Sequence, residues 1–210
     1  MIIEDYVNIL QMFISGVAVT LGLIRTVRTR MREWGLYSLF CGAYFLGDLF
    51  WTLYQHFYRT DPTTPYECDL NWCVSIMFLL MLLFVIREPR PKGKNPWFAW
   101  IGPVFTAGMA VYFMQWEDYT SNTAAAFVFG ILLYQSISGL YFLRGKTGEE
   151  SRNRLFYIVS IVMTLLQYLV WMLSCFWMGY TLANPYYWFD VMLSACLILM
   201  AWPVRKAVGA

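Results

Sequence analysis

The residues best suited to chemistry lie in one stretch, "YFLGDLFWTLYQHFY", residues 44 to 58. It is apolar over a length that crosses a bilayer, yet it carries Asp48, Gln55 and the single histidine of the chain, His56. Of thirteen carboxylate residues, Asp48 is the one that falls deep inside an apolar run. A charged side chain at that depth costs about 2.5 to 3.5 kcal/mol or more unless it is paired or hydrated. At about 100° per residue, Cys41, Tyr44, Asp48, Thr52 and Gln55 form one stripe on a helix, while Leu46, Leu49, Phe50, Leu53 and Phe57 occupy the other side. The polar stripe is expected to face neighbouring helices, where Asp48 finds hydrogen-bond partners or water, and the other side to face lipid. His56 lies about 12 Å along the helix from Asp48, too far to share a proton with it. It reads as an interfacial residue, with external pH sensing as the alternative.

A second stripe, Ser160, Thr164, Gln167, Trp171 and Ser174, repeats the pattern further along. Asn8, Ser15, Asn71, Ser75, Gln135, Ser138, Tyr186, Asp190 and Ser194 are candidates to join it around a cavity open toward the outer side. The ligand-binding set expected from these stripes is Asp48, Tyr44, Thr52, Gln55, Gln167, Trp171 and Asp190. Ser, Thr, Asn and Gln also tie helices together at about 0.6 kcal/mol each, so any one of them taken singly reads as interhelical glue. Trp72, Trp97, Trp100, Trp116, Trp188, Tyr186 and Tyr187 fall near expected helix ends and read as an interfacial aromatic belt.

Other chemistries lack their residues. All four lysines, at 92, 94, 146 and 206, sit in basic connecting segments, which excludes a retinal Schiff base. No phosphate-binding glycine loop and no compact Ser, His and acid set occurs, so catalysis has no positive support. One histidine with scattered cysteines has no metal-ligand spacing, and neither a metal nor a cofactor is expected. Cys41, Cys175 and Cys196 read as packed apolar residues. A Cys68 to Cys73 bridge is disfavoured, because it would run into the start of a helix.

The elements that must position these residues follow from composition. With 60% apolar, 20% aromatic and 13% charged residues, the 210-residue chain departs from the soluble mix and reads as an all-α, polytopic membrane protein. A span needs about 17 to 25 residues, which predicts a seven-helix transmembrane bundle with helices near 6–24, 35–57, 69–86, 97–115, 123–143, 155–178 and 186–203, all one domain over residues 1–210. Residues 25–33, 87–95, 144–154 and the tail carry fourteen of the fifteen basic residues. They alternate with segments that carry only Arg59. Positive loops stay cytoplasmic, so the expected topology is N-terminus outside and C-terminus inside, in a cell's inner membrane. The first helix reads as retained, with no cleaved leader. The net charge of +2 is spread over juxtamembrane segments, so lipid is the expected partner and nucleic acid is not.

The chain also repeats. An offset of 120 places Trp51 on Trp171, Leu53 on Leu173, Pro65 on Pro185 and Tyr66 on Tyr186, while "ISG" recurs at 14–16 and 137–139 and Asp69 precedes Asp190 by 121. Helices 1 to 3 therefore resemble helices 5 to 7 with helix 4 as a linker, a parallel 3+1+3 arrangement that some transporters use.

The stretch with Gly47, Asp48, Leu49 and Trp51, followed by Pro65 and Asp69, resembles the seven-helix membrane sensor modules found ahead of diguanylate cyclase and related bacterial signalling domains. "NPYYWFDVMLSACLIL", with Asp190 after Pro185, is similar to that family's last helix. The resemblance implies a receptor or sensor that binds a small apolar or amphipathic molecule within the bundle. The loop "TTPYEC" departs from the family's usual Ser-Leu-Ala type run, and about seven residues follow helix 7, so signalling would pass through a separate partner. Two alternatives remain: a small-solute or proton-coupled transporter, and a lipid-modifying enzyme of the lysoplasmalogenase type, which shares only the Gly-Asp dipeptide. The expected topology is checked by reporter fusions after residues 33 and 60: only the first reporter should be active in the cytoplasm.

Overall fold

The computed structural model describes residues 3–60, 66–87, 95–116, 119–177, 179 and 181–209, without the side chains at 66, 67, 116, 149 and 150. Within them the chain is a helical bundle: α1 Ile3–Thr29, α2 Arg32–Tyr58, α3 Tyr66–Ile86, α4 Ile101–Phe113, α5 Tyr119–Phe142, α6 Arg154–Phe176, α7 Pro185–Leu199 and α8 Ala201–Val208. Six helical stretches are long and apolar enough to cross a membrane, with α7 and α8 counted as one. The chain is a multi-pass integral membrane protein. Parts of the expected loops, at 61–65, 88–94 and 117–118, and Met178 at the expected end of helix 6 lie outside the described residues.

Helices overrun the expected limits because backbone hydrogen bonding continues into the headgroup region once a helix is nucleated. The basic segment 25–33 is accordingly mostly helix, and only Arg30 and Met31 separate α1 from α2. Arg30 makes that reversal with φ 54°, and Arg59 ends α2 with φ 58°. The fourth expected span is a composite: 3-10 turns at Trp97–Trp100 and Met114–Trp116 flank the 13 residues of α4. Because a 3-10 turn rises faster per residue, this composite is about 33 Å long and matches a bilayer core. The seventh span is interrupted at Met200 rather than running through to 203. Pro203, which has no N–H, leaves the Leu199 carbonyl without its donor.

Neighbour contacts place α1, α2, α3, α5, α6 and α7 in a closed ring in that order, with α7 returning against α1 and α4 packed on α5 outside it. If the first three helices repeat as the last three, the α3–α5 and α7–α1 seams are equivalent, and both are present. Buried aromatics and leucines fill the ring, among them Tyr37, Phe40, Leu79, Leu82 and Phe156. Polar ties cross it: Tyr37 Oη donates to Leu197 O at 2.8 Å, Ser75 Oγ to Phe40 O at 2.8 Å and Asn153 Nδ2 to Ile86 O at 2.8 Å.

The α4–α5 contact depends on small residues that let the helices approach, a common device where no hydrophobic force acts between helices in lipid. A Cβ at Gly102 would lie 2.6 Å from Leu133 Cβ and 3.2 Å from the Tyr134 backbone nitrogen. Thr106 Oγ1 lies 3.0 Å from Ala126 O across the same seam. Gly102→Ala is therefore expected to cost about 1 to 3 kcal/mol. Gly108→Ala, where an added Cβ meets nothing within 4 Å, should be neutral or slightly stabilising. Thermal unfolding of both variants in detergent checks the contrast.

Candidate functional site

The polar stripe of α2 faces into the ring as its spacing predicts. Asp48 is 6% exposed, while Leu46 and Leu53 are exposed on the opposite side. Its carboxyl is held from two neighbouring helices: Ser15 Oγ of α1 donates to Oδ2 at 3.0 Å, and Trp72 Nε1 of α3 to Oδ1 at 3.3 Å. Ser15 Oγ also lies 2.9 Å from Gln11 O, so its single proton serves one acceptor at a time.

Gly47 explains how an indole reaches this depth. A Cβ there would sit 2.7 Å from Trp72 Nε1, so the absence of a side chain at 47 leaves the space through which Trp72 approaches Asp48. The Gly-Asp dipeptide thus acts as one unit: the glycine admits the donor that the aspartate accepts.

A second carboxyl, Asp190, is 7% exposed on α7. Gln11 and Tyr186 share the cavity wall with it, as does Asp48. The first turn of α7 is set by Asn184, whose side chain accepts from Tyr186 N at 3.0 Å and donates to Gly179 O at 2.8 Å. Pro185 follows at the first helical position, where its missing N–H costs nothing. This cap fixes the turn that carries Tyr186 and leads to Asp190.

Between these helices lies a cavity of about 210 Å³ in the half of the bundle nearer the N-terminus. Tyr44, Asp48, Thr52, Gln167, Trp171 and Asp190 line it, which are six of the seven residues expected to bind a ligand. Gln55 does not line it. Its amide instead links two α1 side chains, accepting from Asn8 Nδ2 at 2.6 Å and donating to Glu4 Oε1 at 2.9 Å, and so ties α2 to the start of α1 beside the cavity.

Further lining residues were not foreseen: Gln11, Trp51, Asp69 and Trp72. Gln11 carries a signal in the sequence, since Asn8, Gln11 and Ser15 follow helical spacing and share a face. Trp72 reads from its position as part of the aromatic belt, but it turns inward and packs against Tyr44 and Trp51 at centroid distances of 6.4 and 6.2 Å. Trp97, Trp100 and Trp188 are exposed as a belt requires. On the far wall Trp171 stands edge-on to Tyr168 at 5.5 Å and to Phe129 at 5.9 Å. A smaller cavity of about 160 Å³ shares Asp69, Trp171 and Ser174 with the first and reaches toward α5.

Most other expected polar residues tie backbone instead. Ser160 and Thr164 donate to carbonyls one turn back in α6, at 2.9 and 3.0 Å, and Ser194 does the same to Asp190 O at 3.1 Å. Gln135 accepts from Arg87 at 3.5 Å, well away from the cavity lining. Ser138 is fully buried, and neither it nor Asn71 lines the cavity. His56 is exposed beside Phe57, and no disulfide joins Cys41, Cys68, Cys73, Cys175 and Cys196. A larger groove of about 720 Å³ near Trp34 and Trp202 is open and carries no carboxyl, so it lacks the chemistry of the buried cavity.

Gly47→Ala should push the Trp72 indole away from Asp48 and lower stability by about 1 to 3 kcal/mol through crowding and a lost hydrogen bond. Trp72→Phe, which keeps most of the ring packing, should cost less. Paired unfolding curves for the two variants measure the difference. Compared with family models, curated proteins and solved structures, the chain shows no match.

Proposed function

We propose that this membrane protein is a receptor or sensor module that takes a small amphipathic molecule into the cavity between α1, α2, α3, α6 and α7. One observation carries the reading. Gln167 is 5% exposed, lines the cavity and makes no hydrogen bond among the described residues. Its amide turns to the cavity with its hydrogen-bonding capacity unused by the protein, so a ligand able to accept and donate can engage it. Aromatic walls with a few placed polar groups are the usual makeup of small-molecule sites. The volume lies below the range of about 300 to 1,000 Å³ typical for drug-sized ligands, so the occupant is small. A molecule touching α2, α6 and α7 together would change how those helices pack around the ring. The opposite ends of α2 and α6 and the α8 that follows α7 carry Arg32, Arg154, Arg205 and Lys206, a surface suited to an acidic signalling partner or to anionic lipid.

A second reading, solute transport, is favoured by one specific feature: the repeat-related pair Trp51 and Trp171 both line the cavity, as does the pair Asp69 and Asp190. Sites between repeats are typical of transporters.

Native mass spectrometry of the gently solubilised protein tests the first reading. Wild type should retain a small molecule that Asp48→Asn loses or holds weakly. A protein empty in both forms, together with solute flux into proteoliposomes, would replace the receptor reading with transport.

A further inference from the structure

The cavity has a charge character that narrows what it takes. Among the described residues, its lining includes the carboxyls of Asp48, Asp69 and Asp190 and no lysine, arginine or histidine. The donors facing Asp48 are a hydroxyl and an indole, and the polar groups beside Asp190 on the cavity wall include the Gln11 amide and the Tyr186 phenol, all of them neutral. A carboxylate offers about four acceptor positions, so each of the two has positions left over. Two buried carboxylates on one cavity wall of a membrane protein repel strongly, a cost that neutral donors do not cancel and that either a bound proton or a bound cation relieves.

The rest of the lining decides which positive charge fits. A hard metal ion wants about six oxygen ligands, whereas much of this wall is aromatic or aliphatic: Tyr44, Trp51, Trp72, Val170 and Trp171. Aromatic faces attract organic cations through the ring quadrupole, with Trp the strongest, and quaternary ammonium groups are recognised this way. Gln167 supplies a point that is independent of the acids, as a buried polar side chain whose amide has its hydrogen-bonding capacity unused. Tyr44, 5% exposed, lines the same cavity as both acids.

We propose that the cavity binds a small organic ammonium ion, with its charged head at Asp48 and Asp190 and its apolar body against Trp51, Trp72 and Trp171. This assigns the ligand class of the site proposed above and rests on that reading. Gln167 then serves a polar group on the ligand, which makes the preferred ligand an ammonium carrying a hydroxyl or carbonyl.

The experiment compares cations with neutral molecules of the same shape, in a maltoside detergent that carries no choline or amine. Choline is titrated against 3,3-dimethylbutan-1-ol, and benzyltrimethylammonium against neopentylbenzene, by calorimetry and thermal shift, with sodium chloride as the ionic control. Wild type is expected to bind each cation about tenfold or more tightly than its neutral partner, in line with a charge paired with carboxylates and held against aromatic faces. That preference should collapse in Asp48→Asn and in Asp190→Asn. If either variant fails to fold, the comparison on wild type alone decides. Neutral molecules binding as well as cations would overturn the ammonium assignment and leave the receptor reading standing. Stabilisation by sodium alone, equal to that by the organic cations, would replace it with an inorganic ion. Should no probe bind, the charge of the molecule retained in native mass spectrometry decides: a cation supports the assignment and a neutral or anionic one overturns it. An empty protein together with inert probes would remove both readings.

Discussion

A carboxyl buried among helices is the constraint around which this bundle is arranged. Asp48 sits where an uncompensated charge is costly, and its two oxygens are engaged from different helices, by Ser15 of α1 and Trp72 of α3. Each tie demands something of its own helix. Ser15 must face α2, which turns Asn8 and Gln11 the same way, and Trp72 must pass the surface of α2 at Gly47, a position that has no side chain. The same requirement that satisfies Asp48 therefore sets the rotation of α1 and the depth of α3, and with them most of the cavity wall.

The second carboxyl enters from the far side of the ring. Asp190 is reached only because α7 returns against α1, bringing Gln11 onto the same cavity wall. The Asn184 cap and Pro185 start α7 at a defined point, so Tyr186 and Asp190, four residues apart, present one face to the cavity. The two acids belong to helices that are distant in sequence and adjacent in the fold, and the electrostatic character of the cavity exists only once the ring has closed.

Residues matched by the 120-residue offset meet in one cavity, but the two halves of the chain bring different chemistry to it. Trp51 and Trp171 take related places on the cavity wall, as do Asp69 and Asp190. The position 120 residues after Asp48, however, is Tyr168, which packs among aromatic rings and does not line the cavity. One half thus contributes the acid of α2 and the other the acid of α7, and the site is asymmetric. The polar residues of α6 show the same division along a single helix: Ser160 and Thr164 turn their hydroxyls to their own backbone, and Gln167, too long to do so comfortably, projects into open space.

Periodicity and composition were enough to read the all-helical membrane bundle, the inward face of α2 and six of the cavity residues, because a bilayer forces backbone hydrogen bonds into helices and forces polar side chains away from lipid. Those rules act locally, so they are visible in a string of residues. The helix ends were less legible, since α1 and α2 continue through a basic segment that reads as a loop and the last span breaks at Met200. Which inward-facing residues meet was decided by the tertiary structure alone. Gln55 shares the stripe of Asp48 yet is taken up by Glu4 and Asn8. Trp72 looks interfacial yet becomes a donor, because the space above Gly47 is a property of two packed helices and not of either one. The pairing of Asp48 with Asp190 depends on closure of the ring, a long-range fact that no spacing along the chain encodes.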